Sequence, residues 1–203
     1  MTEERFLKGR LTAPRNTRAD IIDAAIQLLG RGGASGFTAS ALAAEAGVSK
    51  AAIYHHFDGL DAVIVAAFDS FAVQMSVITP PDGMSLCDWL IRLGHDAVAI
   101  AEAQRELINA YLVFVTQSLF NPELHSGLAQ TLAGIEEATA DTMAELLDCP
   151  VSREQLQRVA ALTLMTLDGL AMQVALFPDR KPAALAAWEE FARQTCAQLE
   201  AGS

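Results

Sequence analysis

Basic residues are scarce. The 14 Lys and Arg against 25 Asp and Glu leave a formal net charge of -11, which taken whole argues against a nucleic-acid partner. Cysteine is scarcer still: Cys87, Cys149 and Cys196 are odd in number and far apart along the chain, so neither a disulfide framework nor a metal-ligand spacing follows from them. No Gly-rich phosphate loop, Ser/His/Asp order or His/Cys/Glu metal set stands out, and Glu137, Asp141 and Glu145, at i, i+4 and i+8, read as a solvated carboxylate face. An enzyme, a cofactor and a bound metal are therefore not expected. The N-terminus mixes Glu, Arg and Lys without an apolar stretch, and no apolar run is expected to span a bilayer, so a cytoplasmic protein without membrane contact is expected. Alternating strand patterns, internal repeats and low-complexity stretches are also missing, which leaves an all-α chain.

What is present is apolar: 52% of 203 residues, enough to bury one or two real cores. The charge also divides unevenly. Residues 1–60 carry seven Lys and Arg against six Asp and Glu, whereas residues 61–203 carry seven against nineteen. The acidity thus lies in the later body, and the first eighteen residues, with five Lys and Arg, form the most basic part. Residues 1–16 read as a basic arm, which either reaches a DNA minor groove or is only a solvated terminus.

Helical periodicity and its stop signals divide the rest. Thr17-Arg18-Ala19-Asp20 fits a capping-box start, with Ile21, Ala25, Leu28 and Leu29 as an apolar stripe ended by Gly32-Gly33. Thr38 is placed to cap a second helix. Gly47 can adopt positive φ to end it, and Ser49 can cap a third that runs to about His56. Leu42, Val48, Ile53 and Phe57 are spaced to share a small core, Ala43 permits a close crossing, and Lys50, Ala51, Tyr54 and His55 remain outward. This is the logic of a helix-turn-helix, which makes DNA the first candidate partner. A fourth helix begins near Leu60 with Val63, Ala67, Phe71 and Val77 on one stripe, and Pro80-Pro81-Asp82-Gly83 stops it. Further helices are predicted from Ser85 to about Ala101, Leu107 to Leu119, Asn121 to about Leu147, Arg153 to Phe177, and Pro182 to about Leu199. The organisation is a basic arm (1–16), a three-helix DNA-binding domain (17–61) and a larger helical domain (62–203).

The run from Thr17 to Ala25, with Gly36-Phe37-Thr38, Leu42-Ala43, Ala46 to Lys50 and Ile53-Tyr54-His55-His56-Phe57, resembles the N-terminal domain of TetR-family transcriptional regulators over roughly fifty residues in one register. The segment from Leu167 to Gln173 before Phe177-Pro178 also looks like the penultimate helix of many members. The resemblance implies a ligand-responsive regulator, a repressor that binds a palindromic operator on double-stranded DNA as a homodimer and is released by a small, largely apolar effector. It implies phosphate contacts from Thr38, Ser49, Tyr54 and His56, and base contacts from Lys50, Ala51 and His55. Ser49 either caps its helix alone or also meets a phosphate. His55 and His56 are adjacent, but neighbours in a helix point about 100° apart, so a shared metal is not expected. Two positions depart from the family pattern: Leu60 stands where many members place a phosphate-gripping Lys, and Ser40 where some present an Arg to a base. Both thin the cationic footprint.

For the effector, the family's pocket-forming helices here carry Trp89, Leu93, Tyr111, Phe114, Met143, Met165, Asp168 and Met172, with His95 and Asp168 as polar groups on otherwise apolar faces that need partners. Leu156, Val159, Thr163, Leu167, Leu170 and Val174, and then Trp188, Phe191, Thr195 and Leu199, recur at helical spacing. These stripes either pack within one chain or close a four-helix dimer interface, and the resemblance favours the dimer. The alternative function is a small cytosolic helical enzyme or carrier for an apolar compound.

Overall fold

In a computed structural model that describes residues 16–76 and 80–201, the side chains of 72–76 excepted, every regular element is helical. The basic arm up to residue 15 and Val77 lie outside the described residues. Four helices lead: α1 (Thr17–Gly32), α2 (Ala39–Ala46), α3 (Lys50–His56) and α4 (Leu60–Ser76). Five follow: α5 (Leu86–Ala103), α6 (Arg105–Ser118), α7 (Pro122–Leu146), α8 (Arg153–Leu176) and α9 (Lys181–Ala201).

Side-chain caps set most starts. Thr38, Ser49, Ser85, Asn121 and Ser152 each accept a hydrogen bond from a backbone N–H in the first turn they precede. The first helix departs from the capping-box expectation. Asn16, not Thr17, is its cap, with Oδ1 accepting from the Ala19 N–H at 3.3 Å. The amide oxygen one residue upstream reaches the same orphan donors, and Thr17 becomes the first helical residue.

Two apolar clusters hold the chain. The first joins α1, α2 and α3 to α4, α6 and α7, running from Ile21, Leu29, Leu42, Ile53 and Phe57 through Val63, Ala67 and Phe71 to Ala110, Phe114 and Leu124. The core of the helix-turn-helix is thus continuous with the body, with no break at residues 61 and 62. The second cluster joins α5, α7, α8 and α9 around Leu90, Met143, Ala160 and Trp188. Both predicted stripes on the last two helices point inward: Leu156, Thr163, Leu170, Val174, Trp188, Thr195 and Leu199 are buried in the single chain. The expectation that these residues form a dimer interface is therefore corrected in favour of packing within one chain.

The opposite side of α8 is apolar as well. Leu162 and Met165 are 49% and 64% exposed, and Leu176 and Phe177 at its end are 57% and 51% exposed. Being apolar on both sides, α8 is long and apolar enough by length and composition to cross a membrane, contrary to the expectation that no run would be. Beside it, α9 exposes Ala183, Ala186, Ala187 and Ala197.

Crossings are close where glycine allows it. A Cβ on Gly94 of α5 would lie 2.2 Å from Nε1 of Trp188 in α9, whose indole N–H donates to the Leu90 carbonyl at 2.8 Å. Near this crossing the Cys87 and Cys196 thiols meet, remote in sequence but adjacent in space. Burial, followed by the hydrogen bond with Cys87, pushes the Cys196 thiol up to about 12. Gly94→Ala must displace a buried indole, and it is expected to destabilise the fold by about 1 to 3 kcal/mol, read as a lower urea midpoint with native helicity retained.

Candidate DNA interface and effector cavity

Gly47, at φ 65° and ψ 35°, ends α2 in the left-handed region that a side chain would disfavour, and its N–H returns to the Ala43 and Ala44 carbonyls. Val48 then packs against the core, and Ser49 Oγ accepts from the Ala52 N–H at 3.1 Å to start α3. Ile53 is fully buried and Phe57 nearly so, which fixes the rotation of α3. Lys50, Ala51, Tyr54, His55 and His56 are all exposed, Tyr54 by 56%. Thr38 and Ser40 are exposed at the start of α2, where Thr38 Oγ1 accepts from the Ala41 N–H at 3.1 Å. The structure thus brings all eight residues expected at DNA to the exposed side of α2 and α3. It adds Arg18, whose guanidinium lies 5.0 Å over the Phe57 ring at the end of α3. Only the basic character of the early chain hinted at that residue. Arg31 pairs with Glu45 at 2.6 Å and ties α1 to α2.

A cavity of about 150 Å³ lies among α4, α5, α6, α7 and α8. Phe68 and Phe71 come from α4, Trp89, Leu93 and Ala97 from α5, and Ile108 and Tyr111 from α6. The long helices add Leu132, Ile135, Thr139 and Thr142 from α7, and Thr163, Leu167, Asp168 and Met172 from α8. Trp89, Leu93, Tyr111, Asp168 and Met172 were expected at the effector and line it. Four others lie elsewhere. His95 is two residues from Leu93, so about 200° around the helix; its Nε2 sits 3.1 Å from Glu189 Oε1 at the outer α5–α9 seam. The hydrogen bond from His95, with help from Arg193, holds the Glu189 carboxyl below its usual range. Phe114 stands behind the cavity, edge-on to Phe68 at 5.4 Å, and belongs to the first core cluster. Met143 is fully buried in the second cluster, and Met165 points to the exposed side of α8.

Phe68, Phe71, Thr139, Thr142 and Thr163 were missed. The i, i+3 aromatic pair on α4 was the available signal, whereas threonines on long helices carry none. Tyr111 stacks near-parallel on Phe71 at 5.4 Å and on Phe68 at 6.4 Å, and its hydroxyl donates to Asp168 Oδ2 at 3.0 Å. Burial, reinforced by the Asp168 charge, raises the Tyr111 phenol well above its ordinary range, so it remains a donor. Burial also raises the Asp168 carboxyl, while the hydrogen bond from Tyr111 opposes that rise. Thr163 Oγ1 is fully buried and has no hydrogen-bond partner among the described residues.

The cavity and the DNA-facing unit meet on α6. A Cβ on Gly30 of α1 would lie 2.2 Å from the Glu106 carbonyl oxygen, and Asn109 Nδ2 donates to the Gly30 carbonyl at 3.1 Å. Ile108 and Tyr111, within a turn of Asn109, face the cavity.

Known proteins agree with this geometry. The profile of bacterial regulatory proteins of the tetR family matches residues 21–67. The HTH-type transcriptional regulator BetI of Brucella anthropi is 29% identical over 189 residues, covering 83% of this chain and 87% of that protein. A transcriptional regulator from Rhodococcus sp. Rha1 shares the fold with a TM-score of 0.70 at 20% identity, over 91% of this chain and 96% of that one. The multidrug binding protein EbrR, solved with imidazole, does so with a TM-score of 0.64 at 23% identity, over 90% and 96%. The helix-turn-helix register, the sequence match that covers it and the architecture of the remaining helices converge on the tetR family of regulators, whose model matches the DNA-facing residues 21–67.

Proposed function

We propose that the protein is a cytoplasmic repressor that binds a palindromic operator as a homodimer and leaves it when a small, largely apolar effector fills the cavity among α4 to α8. The observation that carries this reading is the double engagement of α6: Ile108 and Tyr111 face the cavity, while Glu106 and Asn109 of the same helix press on Gly30 of α1. A ligand shifts an equilibrium only through differential affinity for its two states. Here a ligand that displaces Tyr111 displaces the support of α1, and α4 adds a second lever through Phe68 and Phe71.

On the DNA side, Lys50 and Ala51 meet base edges, since an ammonium suits guanine acceptors and a methyl the thymine methyl, with His55 beside them. Thr38, Ser49, Tyr54 and His56 bond phosphates and fix register, and Ser40 stands near the same face. Arg18 adds a cation at the end of α3. The acidic body keeps clear of the duplex.

The dimer in this reading uses the outer side of α8 and the alanine side of α9. Leu162, Met165, Leu176 and Phe177 are too apolar to face water without cost, and alanines permit close helix approach. Two-fold symmetry then presents two copies of α3 to half-sites about 34 Å apart, or a multiple of that. The curated relatives are named as transcriptional regulators rather than enzymes, which favours this reading over the catalytic alternative.

Three outcomes are expected. Lys50→Ala with Tyr54→Ala abolishes the footprint on DNA flanking the gene while the dimer stays folded; a surviving footprint refutes the role of α3. Met165→Glu places a charge at the centre of the proposed dimer side and shifts sedimentation from dimer to monomer, with operator binding lost. Asn109→Ala preserves operator and effector binding measured separately but reduces the effector's influence on operator affinity several-fold, because site-to-site coupling amounts to only about 1 to 3 kcal/mol.

A further inference from the structure

The polar inventory of the cavity is short, and most of it is already committed. Thr139 and Thr142 donate their hydroxyl hydrogens to the Ile135 and Ala138 carbonyls of their own helix, at 2.7 and 3.0 Å. Tyr111 donates to Asp168. Two groups remain: the fully buried Thr163 hydroxyl, which has no hydrogen-bond partner among the described residues, and the Asp168 carboxylate. Tyr111 is the only hydrogen-bond partner of Asp168 among the described residues, and no Lys, Arg or His among them forms an ion pair with it.

Asp168 stays partly open to solvent where it lines the cavity, its partial burial disfavours the charged form, and no cation among the described residues offsets that charge. The wall itself is suited to positive charge. Phe68, Phe71 and Tyr111 all line the cavity, and aromatic faces attract cations through their quadrupole. At longer range, residues 61–203 carry nineteen acidic against seven basic residues, which draws cations towards the body and repels anions.

We infer that the effector is a compact hydrophobic cation, its positively charged nitrogen set between Asp168 and the aromatic wall of Phe68, Phe71 and Tyr111. The inference rests on the ligand-responsive reading above and narrows its apolar effector to one charge. A cation supplies a counter-charge that the described residues do not, whereas a neutral ligand of equal shape gains nothing from Asp168 and an anionic one meets it with like charge. The volume of about 150 Å³ limits the ligand to roughly one ring with a small head group.

The test is calorimetric titration of the purified full-length protein with three probes of one shape class. Benzyltrimethylammonium carries the charge, neopentylbenzene is its uncharged carbon isostere, and phenylacetate carries the opposite charge. The cation is expected to bind at least about tenfold more tightly than its isostere. Asp168→Asn, which retains an acceptor for Tyr111, is expected to erase that preference while leaving neopentylbenzene affinity within about twofold, the range expected when only the charge is removed. Thr163→Val removes an orphaned hydroxyl and is expected to leave thermal stability unchanged or higher with the cation preference intact, which separates loss of charge from damage to the cavity wall. The inference is overturned if the wild-type protein does not bind the cation at millimolar concentration, if it binds neopentylbenzene or phenylacetate as tightly, or if Asp168→Asn keeps the preference. The operator footprint of the same preparations keeps the two readings apart. A footprint with no cation preference refutes only the charge, whereas a missing footprint refutes the regulator, whichever probe binds.

Discussion

The contact between Gly30 of α1 and the backbone of Glu106 at the start of α6 is the constraint from which the rest of the arrangement follows. A side chain at Gly30 would overlap that carbonyl, so the two helices approach at backbone distance and the Asn109 amide fastens them. The first helix of the DNA-facing unit is therefore also a wall of the body, and one apolar cluster runs from Ile53 beneath α3 to Phe114 and Leu124. Tight packing transmits displacement because closely packed interiors compress little. Whatever repositions α6 or α4 at the cavity has no slack to absorb it before α1.

The eighth helix shows a different economy. Its inner stripe fills the second core, its outer stripe is exposed and apolar, and Thr163, Leu167 and Asp168 line the cavity between these two roles. A helix that is apolar on opposite sides keeps few polar residues, which is why its composition matches that of a membrane span. Composition alone cannot tell a lipid-facing helix from one that meets protein on every side.

Local chemistry was legible in the sequence wherever one residue decides a conformation. Gly47 ends α2, Thr38 and Ser49 cap, Pro122 opens α7, and the helix ends fall within a few residues of their predicted places. Asn16 escaped because two candidate caps stood side by side, and only backbone geometry selects between them. The exposed residues of α3 were legible because a seven-residue helix with Ile53 buried leaves one orientation. The cavity was half legible. Periodicity shows that Trp89, Leu93 and Met172 face inward, but not whether they meet a void or a side chain, and Met143 differs from Met172 only in that respect. Met165 and the inward stripe of α8 failed for one reason: α8 is apolar on opposite sides, so its hydrophobic pattern has little phase to read.

The caps of α2 and α3 carry one more consequence. In each, the side-chain oxygen of Thr38 or Ser49 spends a lone pair on a backbone N–H of its own helix. Its hydroxyl proton is not used in that bond. The helix start is thereby locked in place while a proton stays available on the outer surface. Staple and donor are a single atom, so a folding role does not exclude a role in recognition: the oxygen that shapes the turn still carries an O–H that a phosphate would accept.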